Sequence, residues 1–149
     1  MSNINIISEG IREVINSVKH WLLNIPPEKA ALKTTPDKWS KKEILGHLID
    51  SAANNHQRFV RAAQNIAADF PTYNQNRWVD VQCYNNLDWP DLINLFVYFN
   101  MHISRVIDCL AEEVFANPVN IGKDNPVTLE FVITDYLRHL KHHVEQLHG

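Results

Sequence analysis

The amino-acid sequence predicts an all-α fold, a four-helix bundle, on three observations. Four stretches carry apolar residues at the three- and four-residue spacing that lays one face of a helix on a core. The 149 residues include only four glycines, and no alternating Val, Ile and Thr run of the kind that builds half-buried strands. One link, Asp69 to Leu87, is far longer than the roughly 2–8 residues that join neighbouring bundle helices. The length suits one domain, residues 1–149, able to bury a core without disulfides.

The first helix is expected over Ile4–Asn24, with Ile7, Ile11, Val14, Ile15, Val18 and Leu22 facing inward. Ile25-Pro26-Pro27 ends it, because proline disfavours the helical region in the residue before it. A connector, Glu28 to Lys38, follows. The second helix has the clearest start: Ser40 and Glu43 form an S-x-x-E capping box, and Trp39 stands where a hydrophobic staple would meet Ile44. It is expected to run to about Ala68 on Ile44, Leu45, Leu48, Ile49, Ala52, Phe59 and Ala63. His47, Ser51, Asn54 and Arg58 flank that stripe as a polar row, either an ordinary boundary or one wall of an interior site.

The long link shows no helical periodicity. Phe70, Tyr73, Trp78 and Tyr84 alternate with Asn74, Gln75, Asn76 and Arg77, an unusual content for a spacer. The third helix starts near Asp88, with Pro90 in its first turn, and is expected to reach Val114 on Leu92, Leu95, Phe96, Phe99, Ile103, Val106, Ile107 and Leu110. Asn117 to Val127, with Pro118, Gly122 and Pro126, is a turn-rich connector. The fourth helix, Thr128 to Gly149, buries Leu129, Val132, Ile133, Tyr136, Leu137, Leu140, Val144 and Leu147.

Composition narrows the function classes. A net charge of −3 and a pI near 6.2 leave no basic stripe for phosphate backbones, so no nucleic-acid partner is expected. No signal peptide is visible and no apolar stretch reaches a membrane span, so the chain is expected to be soluble and cytoplasmic, with no membrane partner. Two cysteines, Cys83 and Cys109, make no disulfide framework and suit that reducing compartment.

The chemistry-bearing residues gather in the last helix. His139 and His143 stand four apart and so stack on one side, with His143 inside the apolar sector and His139 at its edge. Such a pair supplies two neutral imidazoles to a divalent metal, whereas His142 points to solvent. Leu140 occupies the position of the Glu in H-E-x-x-H, which removes a zinc-protease reading. Candidates for a third ligand are His47, His102, His20, His56 and a few carboxylates. His47 is the best placed, early in its helix and on the polar flank. Asp135 either orients His139 from behind or is a solvated surface charge. Asp50 lies further toward the polar side of its helix than His47, and no obvious general base presents itself.

The segment PDKWSKKEILGHLIDS, the aromatic loop YNQNRW and the ending LEFVITDYLRHLKHHVEQL resemble the DinB-like superfamily, which includes YfiT-type metal-dependent hydrolases. The resemblance spans nearly the whole chain. It implies an up-down-down-up bundle, commonly homodimeric, holding a divalent metal on His47, His139 and His143. It further implies a thiol-dependent S-transferase acting on small electrophiles with a low-molecular-weight thiol, the alternatives being a metal-dependent hydrolase or a non-catalytic metal- or ligand-binding bundle. Zinc, nickel and manganese all accept imidazole.

Two further expectations concern the aromatics. Tyr73, Trp78 and Trp89 need cover, part of which a homodimer supplies. The crossover is expected to return toward His47 and place Tyr73, Asn76, Arg77 and Trp78 at a small-molecule substrate, with Arg77 pairing an anionic group or making a structural salt bridge.

Overall fold

The computed structural model describes residues 3–66 and 72–148. Four long helices carry the fold: α1 (Asn3–Leu23), α3 (Lys41–Ala63), α5 (Trp89–Cys109) and α6 (Leu129–His148). Two short helices, α2 (Pro27–Ala30) and α4 (Gln75–Gln82), lie in the connectors. Two-residue strands, β1 (Pro118–Val119) and β2 (Val127–Thr128), pair antiparallel just before α6.

Helix directions follow from which ends meet. Trp89, at the start of α5, donates its indole N–H to the Leu22 carbonyl at the end of α1 (3.0 Å), so α1 and α5 are antiparallel. Lys42, in the first turn of α3, donates to the carbonyl of Leu87, just before α5, so α3 and α5 are parallel. Lys41 donates to Leu147 at the end of α6, and Asn117, whose carbonyl accepts from Leu129 N at the start of α6, donates to Ala62 at the end of α3, so α3 and α6 are antiparallel. The order is up-down-down-up. Each of α1 and α3 packs against both α5 and α6, which encloses one core.

Local chemistry explains the helix starts. Ser40 accepts from the Glu43 N–H (3.1 Å) while the Glu43 carboxylate accepts from the Ser40 N–H (3.0 Å), a complete capping box. Asn74 and Asp88 cap α4 and α5 with one bond each, their side chains accepting from Arg77 N and Asp91 N.

Several boundaries differ from the sequence reading. Helix α3 ends at Ala63, where Asn65 takes a left-handed φ of 57° that stops a helix; residues 67 and 68 of the expected extension lie outside the described residues. Helix α5 ends at Cys109 because Leu110 is extended, and Glu112–Ala116 form a separate 3-10 turn. Leu95 is 48% exposed, because α5 buries Ile93 and Val97 in its place.

The largest correction is the crossover, which is not structureless. It contains α4 and a 3-10 turn at Tyr84–Asn86, joined at Cys83 by a left-handed residue with φ 53°. Residues 69–71 of it lie outside the described residues.

Trp89 is also buried, at 1% exposure, inside its own bundle, so it asks for no cover from a partner. No helix among the described residues is long and apolar enough to cross a membrane.

Candidate metal centre

Because α3 and α6 run antiparallel, the first turns of α3 lie beside the last turns of α6. His47 enters from α3, and His139 and His143, one turn apart, enter from α6. The Nε2 atom of His143 stands 3.0 Å from that of His139 and 3.3 Å from that of His47. One ring nitrogen from each of the three lies within 4.8 Å of the others. Among the described residues this is the one group of three or more His, Cys, Asp or Glu so gathered.

The trio fits a divalent ion on chemical grounds. Four ligands about 2.0–2.1 Å from a tetrahedral zinc stand roughly 3.3–3.4 Å apart, close to the two spacings that His143 makes here. The Gln146 carbonyl oxygen accepts a hydrogen bond from His143 Nδ1 (2.8 Å), which places the proton on Nδ1 and leaves a lone pair on Nε2. That single lone pair faces two other ring nitrogens, an arrangement a cation satisfies better than any tautomer does.

Burial keeps the set uncharged. Desolvation, then the neighbouring histidines, lower the pKa of His47 to about 3. His139 falls to about 4, mainly by desolvation and His143, with Asp135 opposing. His143 is also lowered by burial, while its bond to Gln146 works the other way. Three neutral imidazoles at neutral pH are the protonation state that metal binding requires.

Around the trio, Trp39 packs on the His47 ring with centroids 4.9 Å apart, and His47 is fully buried. Its Nδ1 has no hydrogen-bond partner among the described residues. His142 is exposed and stays outside the set, and His148 stacks on Trp21 (4.0 Å). His56 and His102 face each other across α3 and α5 with centroids 5.3 Å apart, and His20 is exposed; none of these joins the trio.

One cavity reaches the histidines, and a second lies beside residues that touch them. The smaller, of about 280 Å³, has His139, Tyr136 and Val132 of α6 on one wall and Ser51, Asn55 and Arg58 of α3 on another. The larger, of about 730 Å³, includes Trp39 and Gln146, the residues that touch His47 and His143, with Lys29, Lys38 and Lys41 around it. Gln75 lines the first cavity and Asn76 the second, so the N-terminus of α4 stands at the divide between them.

The loop residues singled out from sequence therefore part company. Tyr73 lines the smaller cavity and packs at a tilt against Trp78 (centroids 5.2 Å apart), whereas Asn76 lines the larger. Trp78, 37% exposed, and Arg77, also exposed, line neither of these two cavities. The Arg77 guanidinium makes no ion pair among the described residues, so the structural salt bridge does not form there. The Asp135 carboxylate accepts from Arg138 (2.8 and 2.7 Å) and makes no hydrogen bond to His139, on which it acts only through space.

Asp50 is the other departure. It is 2% exposed, because α4 and the turn after it cover the side of α3 expected to face water. Its Oδ1 accepts from Tyr84 (2.6 Å) and Gln82 (2.8 Å), and burial pushes its carboxyl pKa up.

The DinB superfamily model matches residues 11–147, nearly the whole chain. The chain belongs to the DinB superfamily. Among solved structures, YfiT from Bacillus subtilis, described as a probable metal-dependent hydrolase with an unusual four-helix bundle topology, aligns with a TM-score of 0.82 at 17% identity, over 99% of this chain and 86% of YfiT. A mycothiol-dependent maleylpyruvate isomerase aligns with a TM-score of 0.80 at 11% identity, over 98% of this chain and 61% of the isomerase. At these identities the likeness is one of fold. No curated protein matches the chain in sequence.

Within this DinB-superfamily bundle, sequence reasoning missed Gln146 and Asn55. Gln146 carried a readable signal, since it stands three residues after His143 and so on the same helix face. Asn55 carried none, because only the docking of α6 and the crossover makes that part of α3 a cavity wall.

Proposed function

We propose that this chain is a metal-dependent thiol S-transferase acting on small electrophiles, with His47, His139 and His143 holding one divalent ion, zinc, nickel or manganese. The observation that carries this reading is the histidine trio with two unequal cavities near it, the smaller lined by His139 itself and the larger by Trp39 and Gln146, which touch His47 and His143. A reaction that joins two molecules needs two such binding spaces, whereas hydrolysis needs room for one substrate and a water. A bound divalent ion supplies Lewis acidity, which turns a thiol or water into a nucleophile at neutral pH.

The residues divide the work. Gln146 holds the His143 tautomer, and Trp39 excludes water from the His47 side. The larger cavity, with Lys29, Lys38 and Lys41 against Asp37, suits a low-molecular-weight thiol bearing carboxylates. The smaller cavity takes the electrophile beside His139. The exposed free thiols of Cys83 and Cys109 support a reducing, cytoplasmic setting.

A metal-dependent hydrolase is the second reading, favoured by the description of YfiT, whose fold this chain shares. The test is metal-loaded protein offered glutathione, bacillithiol or mycothiol with an activated aryl chloride, in parallel with aryl esters and no thiol. Metal-dependent thiol consumption supports the transferase. Ester cleavage without thiol moves the assignment to the hydrolase, and a metal-loaded protein silent in both would be a binding bundle.

A further inference from the structure

The smaller cavity contains a cation that no carboxylate among the described residues neutralises. Arg58, on α3 three turns beyond His47, is half-buried, and its Nε is inaccessible to solvent and without a hydrogen-bond partner. Its one hydrogen bond among the described residues is a long one, 3.4 Å from Nη1 to the Asn55 amide oxygen. No carboxylate pairs with it among those residues. A guanidinium carries five N–H donors in a planar fork, and partial burial without an anion is costly for such a group. Lys123 adds a second positive charge to the same cavity. The carboxylate that does line it, Asp135, is already held by Arg138. Ile121, Phe131, Val132 and Tyr136 give the rest of the wall an apolar and aromatic character.

We propose that Arg58 is the anion anchor of this cavity, so that the small substrate bound beside His139 carries a carboxylate on an apolar body. The inference rests on the transferase reading only in calling that ligand the electrophile. The planar fork of Arg58 matches a carboxylate through two parallel N–H···O bonds. Tyr73, Phe131 and Tyr136 cover the apolar part, and His139 marks the end at which chemistry occurs.

Binding, not turnover, tests this. Benzoate and its uncharged counterpart benzamide are titrated calorimetrically into metal-loaded wild-type protein, Arg58→Gln and Arg58→Lys. Benzoate is expected to bind the wild type at least about 10-fold more tightly than benzamide. Arg58→Gln should weaken benzoate about 10- to 100-fold, the range for losing a charged hydrogen-bonding partner, and leave benzamide unchanged. Arg58→Lys should recover part of the loss. Benzoate that binds wild type and Arg58→Gln equally, as it would if it only ligated the metal, overturns the proposal. If Arg58→Gln fails to fold, equal affinity of wild type for the two probes overturns it as well. Arg58-dependent benzoate binding in a protein that consumes no thiol would sink the transferase reading and leave this one standing. Thiol transfer with Arg58-independent benzoate binding would do the reverse.

Discussion

At the scale of single residues, the site depends on keeping three imidazoles neutral and correctly turned. His139 and His143 were legible in the sequence because i, i+4 spacing fixes their neighbourhood within one helix. His47 needed the antiparallel docking of α3 on α6, which spacing alone does not supply. Gln146 fixes the tautomer of His143, so Gln146→Leu should weaken metal binding about 10- to 100-fold while the fold persists. A competition titration with a chelator measures this, and unchanged affinity would remove Gln146 from the site. The depressed histidine pKa values also set an acid limit. Above about 6.5, unfolded and folded chains both hold neutral imidazoles. Between there and about 4 to 3, only the unfolded chain takes up protons at His47 and His139, so stability falls as pH falls. Asp50 acts in the opposite sense, since its raised carboxyl pKa favours the folded chain as acid is added. Urea midpoints in chelator should therefore drop from pH 7.5 to pH 5, and drop further in Asp50→Asn. A flat profile in both would contradict the burial account.

At the scale of elements, α3 was readable because its start is local: the capping box needs only Ser40 and Glu43. Helix α4 was not, because eight residues give too few turns for a periodic stripe and bury only Val79. Tertiary contacts hold that region instead, with Gln82 and Tyr84 both bonded to Asp50 of α3. For the same reason, which cavity Tyr73 and Asn76 line was not legible, since it depends on where α4 lies. Gly46 makes that docking possible. A Cβ added there would stand 2.1 Å from the Tyr84 ring, well inside contact distance. Gly46→Ala should thus cost about 1–3 kcal/mol or more through overpacking, although alanine is the better helix former. Urea denaturation decides it, and a stabilised variant would show that the Tyr84 turn is not seated on α3.

At the scale of the whole molecule, the up-down-down-up order rests on a crossover long enough to return the chain to the starting end of α3. The length of that link was visible in the sequence, whereas the helix within it was not. Assembly is a separate question. Trp89 is buried without a partner, so what remains for a homodimer to cover is a set of exposed apolar side chains that includes Leu95 (48% exposed) and Tyr98 (69%), three residues apart on α5. A homodimer remains our proposal; light scattering at micromolar concentration should give twice the chain mass, and a monomer would count against it. The central claim, one divalent ion on His47, His139 and His143, links α3 to α6 across the bundle, so binding should stabilise the whole fold. The most direct measurement is metal content by elemental analysis after loading and desalting. We expect about one ion per chain in the wild type and in His142→Ala, and near none in His139→Ala. Equal metal content in His139→Ala and His142→Ala would contradict the account.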